Sequence, residues 1–309
     1  MAASKSTRAW AGFQSVLCPV DFSEHSRQAL RYAEAMAVKS GGTVTVTYAN
    51  DPLLVAAAAA ALHDRLVAKR SLKELQAFVD ETLATSRKRL RLTCQVSIGS
   101  PPDQILKAAS RQRADLIVVG THGLTGADRL LLGSTTMSVL QRTSVPVLAV
   151  PRRDAPLGPP SASWPGQRIL APIELDESSA REVEIAARLA QWFGSSILTI
   201  HVVAGIAAPQ WLRGDLSSHD RMRLARAQQQ IDALAAIGQR FVRTEGQVMC
   251  GVIADEIAAV AAGEGIELLI TALRDRRGWF GARRGSVSYH VLAHAVAPVL
   301  AYPQSWRPR

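Results

Sequence analysis

The sequence predicts an α/β protein of two tandem doubly wound domains, each a five-stranded parallel sheet with helices on both faces. Three observations predict it. The chain repeats itself at an offset of 152–153 residues; each half alternates short β-branched runs with helical periodicity; and 309 residues suit two compact domains.

The repeat is explicit. Residues 15–26, SVLCPVDFSEHS, align with residues 168–179, RILAPIELDESS, at an offset of 153. From residue 95 the offset is 152: Gly99 matches Gly251, Asp103 matches Asp255, Gly133-Ser134 match Gly285-Ser286, and residues 146–149 match residues 298–301. The expected boundaries are therefore 1–151 for the first domain, 152–167 for a linker rich in Pro, Gly and Ser, and 168–309 for the second.

In the first half, strands are expected at Ser15–Val20, Thr43–Ala49, Thr93–Ile98, Leu116–Gly120 and Val145–Val150. Helices are expected at about Ser23–Ser40, Ala57–Arg89, Asp103–Arg111 and Thr135–Arg142. In the long second helix, Leu72, Leu75, Val79 and Leu83 recur at steps of three and four, giving one stripe toward the core. The last strand of each half offers an edge with unpaired backbone groups, so the halves are expected to pair through Val145–Val150 and Ala297–Tyr302 as an intramolecular pseudo-dimer.

Composition removes several classes. At 48% hydrophobic residues the chain is not disordered, and three cysteines far apart in sequence form no disulfide framework or cysteine-rich metal site. The longest apolar run, Leu53 to Leu62, is half of the ~20 residues that cross a bilayer. The reading is a cytoplasmic protein without a membrane partner. Of the net charge of +10, residues 1–155 carry +8, from 20 Lys+Arg against 12 Asp+Glu. Such a field attracts nucleotides as well as nucleic acids, and no nucleic-acid motif accompanies it.

Doubly wound sheets bind ligands beyond the carboxyl ends of their strands, where the strand order reverses. There the fourth strand runs into Gly120-Thr121-His122-Gly123, then Gly126, then Gly133-Ser134-Thr135-Thr136, a Gly-x2-Gly-x9-Gly-Ser spacing that opens the last helix. The N–H groups of Gly133, Ser134 and Thr135 are expected to be unpaired at that helix start, which with the helix dipole suits a phosphate chain. His122, Thr121 and Arg129 add donors, and Asp21 at the end of the first strand suits a ribose hydroxyl.

These residues resemble the universal stress protein family in a tandem, two-domain form, with the first half similar to its nucleotide-binding branch. The resemblance implies flavodoxin-like (Rossmann-like) domains with strand order 3-2-1-4-5 and ATP as ligand, with or without Mg. By motif position it implies that Pro19, Val20 and Asp21 flank adenine and ribose and that the Ala49 backbone meets the adenine edge. Gly120, Thr121, His122 and Gly123 would line ribose and phosphates, and Gly133, Ser134, Thr135 and Thr136 would hold the phosphate tail. Tyr48-Ala49 departs from the His-Val with which the family often ends its second strand.

The second half departs further: Ala272 and Asp275 stand where the first half has Gly120 and Gly123, and Glu174 replaces Asp21. A carboxylate at 275 faces a phosphate of its own sign, although five arginines lie in the same loop. The expectation is a degenerate site that has kept the fold. His290 and His294, four apart on a helix, have no evident third ligand and are read as a structural pair.

The functional expectation is an ATP-binding stress-response module that signals through an unknown protein partner, with a homodimer as a further assembly and no catalytic residue assigned. No Gly-Lys-Ser/Thr loop is present, and the second half contains no Lys. The alternatives are a slow ATPase or phosphotransferase using His122 or Asp21 with a divalent ion, and a nucleotide-free scaffold for protein or nucleic acid.

Overall fold

A computed structural model describes residues 10–62, 67–84, 90–121, 132–151, 160–161, 163–205, 213–273 and 287–308. The first half contributes β1 (Ser15–Pro19), α1 (Glu24–Ser40), β2 (Thr43–Asn50), α2 (Pro52–Leu62), α3 (Val67–Thr82), β3 (Arg91–Ile98), α4 (Pro101–Arg111), β4 (Leu116–Gly120), α5 (Ser134–Arg142) and β5 (Val147–Val150). The second contributes β6 (Arg168–Pro172), α6 (Ser179–Phe193), β7 (Ser196–Val203), α7 (Arg213–Gly238), β8 (Thr244–Cys250), α8 (Ile253–Gly263), β9 (Leu269–Leu273), α9 (Val287–His294) and β10 (Val299–Pro303).

All ten strands form one sheet in the order β3-β2-β1-β4-β5-β10-β9-β6-β7-β8. Within each half the ladders are parallel, and the halves meet where β5 pairs antiparallel with β10, as the edge argument predicts. The register there places Leu148 opposite Leu300, Val147 opposite Ala301 and Ala149 opposite Val299. Adding the repeat offset of 152 to each residue of β5 returns the same three pairs, so a local two-fold passes between the two leucines.

Alternation along the strands makes two cores, both continuous from one half into the other. Val16 and Cys18 of β1, Leu116 and Val118 of β4, and Leu148 and Val150 of β5 face the layer of α1, α3 and α6. Leu17, Ile117, Val119, Val147 and Ala149 face α4, α5, α8 and α9. Helix α1 shows how the sequence sets an element: Ser23 caps it by accepting the Ser26 N–H, and Ala29, Leu30, Ala33, Met36 and Ala37 are buried as one stripe.

Two expectations are corrected. The helix read over Ala57–Arg89 begins at Pro52, not at Ala57, and is seen as Pro52–Leu62 and Val67–Thr82, with residues 63–66 outside the described residues. Proline is well placed at a first helical position because its missing N–H would have no partner there, and the Asp51 carboxylate accepts the Leu53 N–H. Leu75, Val79 and Leu83 are buried as the stripe requires, joined by Phe78, whereas Leu53 of α2 is 80% exposed. The last strand of the first half begins at Val147 and not at Val145. Pro146 has no N–H to give the ladder, and the Val145 N–H turns to the Thr143 hydroxyl.

Aromatic side chains tie the halves together on the α1/α6 face. Trp10 and Phe13 from before β1 pack on Trp192 of α6 with centroid separations of 5.2 and 5.7 Å, and Trp306, past β10, closes on Trp10 at 6.1 Å. Lys39 at the end of α1 lies 5.4 Å from the Trp192 ring and donates to the Phe193 carbonyl at 3.2 Å. Trp164, within the stretch read as linker, is buried between Tyr32 of the first half and Phe193 of the second, and its indole N–H donates to the Glu267 carbonyl.

Candidate functional site

The strand order of the first half, β3-β2-β1-β4-β5, reverses direction between β1 and β4, and the carboxyl ends of those two strands are where the predicted site lies. After Pro19, the Val20 N–H donates to the Thr47 carbonyl, which keeps the chain on the β2 side for one more residue. Asp21 then turns onto its own loop, its Oδ1 accepting from the Ser23 N–H at 3.0 Å and from the Ser23 hydroxyl at 2.5 Å. That turn puts Phe22 at a φ of 65°, a conformation uncommon for a residue with a side chain.

Phe22 shows what sequence reasoning missed. Its ring packs on Tyr48 from β2 at 4.6 Å and on Phe78 from α3 at 5.6 Å, with the Arg27 guanidinium 4.5 Å from the Phe78 centroid. Burial pushes the Tyr48 phenol up from its ordinary value, and the Asp21 and Asp51 carboxylates push it in the same direction. Asp21 and Tyr48 thus share one electrostatic environment. Alternation places Tyr48 on this face of β2; no spacing rule predicts that residues 22, 48 and 78 meet.

Ala49 is half-buried at the end of β2, opposite Ser97 of β3. The next residue, Asn50, was not singled out by the sequence. It is 1% exposed, its Oδ1 accepts from the Ser71 hydroxyl, and its Nδ2 has no hydrogen-bond partner among the described residues. A buried amide donor in that state costs about 1–3 kcal/mol, so it favours a polar ligand or a water beside it.

At the end of β4, a Cβ on Gly120 would come within 3.1 Å of the His25 carbonyl oxygen, so the first turn of α1 packs tightly over this glycine. The buried Thr121 donates to the Val150 carbonyl and accepts the Gly133 N–H at 2.7 Å, closing the base of the intervening loop. This corrects one expectation: the Gly133 amide is not left unpaired at the helix start. The Ser134 and Thr135 amides remain in the first turn of α5, whose cap is a glycine and so offers no side-chain acceptor. Thr136 is also reassigned. Its hydroxyl donates to the Gly120 carbonyl at 2.8 Å and fixes the helix start to the strand end, so it positions the amides instead of reaching outward. Ser134 is exposed and Thr135 half-buried. His122 and Gly123, and Arg129 with them, lie outside the described residues.

The second half repeats this frame with different chemistry. The Ser288 hydroxyl donates to the Ala272 carbonyl at 2.6 Å, as Thr136 does to Gly120, and the Ile173 N–H donates to Ile200 as Val20 does to Thr47. Glu174, in the place of Asp21, accepts the Val287 N–H at 2.8 Å. Asp275, Gly285 and Ser286 lie outside the described residues. His290 and His294 stack with centroids 6.2 Å apart, and among the described residues no three His, Cys, Asp or Glu side chains are grouped to hold a metal ion. No helix among the described residues is long and apolar enough to cross a membrane.

Two doubly wound halves, each with a helix tied by a hydroxyl to the end of its fourth strand, define a tandem α/β protein. The chain belongs to the Universal stress protein family, which matches residues 12–151 and again residues 166–303. It is similar to a universal stress protein of Thermus aquaticus, 32% identical over 138 residues, covering 45% of this chain and 98% of the relative. Another from Mycolicibacterium smegmatis is 23% identical over 298 residues, 92% of this chain and 95% of the relative. The crystal structure of a universal stress protein from Archaeoglobus fulgidus shares the fold with a TM-score of 0.60 at 19% identity, covering 94% of this chain and 98% of that one.

Proposed function

We propose that the first half binds ATP in the crevice between β1 and β4 and that the protein acts as a nucleotide-dependent stress-response module in the cytoplasm, relaying occupancy to a protein partner. One observation carries this reading. Helix α5 starts at the strand-order reversal on a glycine cap, with the Thr136 hydroxyl fixing its first turn to Gly120, so the Ser134 and Thr135 amides are held as donors for an anion. The nucleoside end is supported by Val20, Asp21 and the Ala49 backbone on one side. The unsatisfied Asn50 amide supplies a further polar group nearby.

The residues present fit an adenine nucleotide. Pro19, Val20 and Ala49 would bound the base, Asp21 would accept from the ribose, and Gly120, Thr121, His122, Gly123, Gly133, Ser134 and Thr135 would surround the phosphates. When bound, ATP supplies a triphosphate whose charge answers the α5 amides and the basic first half. The site is read as a binding site, with no side chain assigned to proton transfer.

Two measurements test it. Mass spectrometry of the natively purified protein should find co-purified adenine nucleotide at one equivalent per chain. Gly123→Glu should abolish ATP binding in calorimetry while leaving far-UV circular dichroism intact; unchanged affinity would refute the assignment.

A further inference from the structure

We infer that the second half is liganded by itself: the Glu174 carboxylate occupies the position at the start of α9 that a phosphate would take in the first half. This rests on the reading that the first half holds its phosphates at α5.

Val287 is the repeat equivalent of Thr135, whose amide is assigned above to the phosphate tail, and Glu174 is the equivalent of Asp21. In the first half those two positions do different work, because Asp21 binds back to Ser23. In the second half the local turn has moved two residues along the chain. Asp176 now accepts from both the N–H and the hydroxyl of Ser178, at 2.9 and 2.8 Å, and its own N–H donates to the Ser179 hydroxyl. Glu174 stays in the turn through its backbone carbonyl, which accepts from the Ser179 hydroxyl at 3.2 Å, while its carboxylate is carried on one more methylene than that of aspartate. It reaches across to the helix and accepts the Val287 N–H at 2.8 Å.

The contact is favourable for the reasons a phosphate would be favoured. A carboxylate at a helix N-terminus accepts an orphan amide and sits at the positive end of the dipole. Because the acid is covalently attached to the end of β6, the strand beside β9, its effective concentration at α9 exceeds that of a free anion. An incoming phosphate must displace it and also meets its charge. The change from Asp21 to Glu174 is therefore a positioning change that silences an anion site while keeping the helix start satisfied. The matched strut, Ser288 to Ala272, shows that the frame around the site has been retained.

The test follows the Val287 and Thr135 amides by two-dimensional 15N–1H NMR of the full chain during titration with inorganic tripolyphosphate. In the natural protein Thr135 should shift and Val287 should not. In Glu174→Ala, Val287 should respond saturably, with apparent affinity at least tenfold above the natural protein. Glu174→Gln, isosteric and uncharged, keeps the side chain's volume and should show a smaller gain in the same direction. A Val287 response in the natural protein as strong as that of Thr135 would overturn the inference. So would an unmoved Val287 in both variants, even if tripolyphosphate binds among the arginines of the same half. A Thr135 amide that tripolyphosphate leaves unmoved would instead sink the reading of the first half on which the inference rests, an outcome separate from the behaviour of Val287.

Discussion

Replacing Thr136 with valine should separate the strut beneath the proposed phosphate site from the rest of the fold. The substitution keeps shape and removes one hydroxyl, which is buried and donates at 2.8 Å to the Gly120 carbonyl. Losing such a bond, with its acceptor no longer served by that donor, costs about 1–2 kcal/mol. For a half of this size that lowers the unfolding midpoint by about 2–8 °C. The functional effect comes through the amides of Ser134 and Thr135. A hydrogen bond to a charged acceptor is worth ~1.5–3 kcal/mol, so loosening the turn enough to spoil one should weaken ATP about tenfold. Calorimetric titration with ATP, beside urea unfolding, measures both. Ser288→Ala is the matched control, because it removes the corresponding strut to Ala272 in the second half. It should cost comparable stability and leave ATP affinity within twofold. Equal loss of affinity in the two variants, or none in Thr136→Val despite lost stability, would refute the reasoning.

Other outcomes follow from the packing and the titratable groups. Gly12 has a φ of 84°, and a Cβ there would overlap the Trp192 indole, so Gly12→Ala should destabilise by about 2 kcal/mol or more and alter the tryptophan emission of the inter-half cluster; an unchanged denaturation midpoint would count against that clasp. Under native conditions Cys250, which is exposed, should be alkylated by iodoacetamide. Cys18, fully buried and with its thiol pushed well above the ordinary range by desolvation, should react only after denaturation, as peptide mass spectrometry will show. The Asp115 carboxyl is raised by burial, partly offset by the N–H bonds it accepts from Gln14 and Ser15. The folded chain therefore holds that proton more tightly than the unfolded one. Its contribution to stability declines as pH rises from the ordinary carboxylate value through the raised one. Asp115→Asn should flatten that part of the profile in urea unfolding above the ordinary carboxylate value, and an unaltered slope would be decisive against it.

What was legible in the sequence was what depends on pattern. The strands β1, β2 and β4 follow from β-branched runs, and the β5–β10 seam follows from the repeat, because identical edges related by a fixed offset pair symmetrically. Boundaries set by one residue's chemistry were read less well: Pro52 starts a helix that periodicity placed later, and Pro146 shortens a strand that hydrophobicity lengthened. At the candidate site, residue types and spacing pointed to the loop ends that follow β1 and β4, strands that pair side by side. The directions of individual bonds were not legible. Gly133 gives its amide to Thr121, Thr136 turns its hydroxyl inward, and Glu174 meets a residue 113 positions away. Those outcomes depend on distances between separate elements, which neither composition nor period encodes. The grouping of Phe22, Tyr48 and Phe78 is hidden for the same reason.

Joining the halves edge to edge with their last strands running in opposite senses has a geometric consequence. The carboxyl ends of the first five strands point one way and those of the other five point the opposite way, so the crevice proposed for ATP and its proposed counterpart in the second half open on opposite rims of the sheet. A single small partner that reads nucleotide occupancy at the first rim cannot also touch the second. Any influence between them has to travel along the shared β backbone or through the tryptophan layer laid across it.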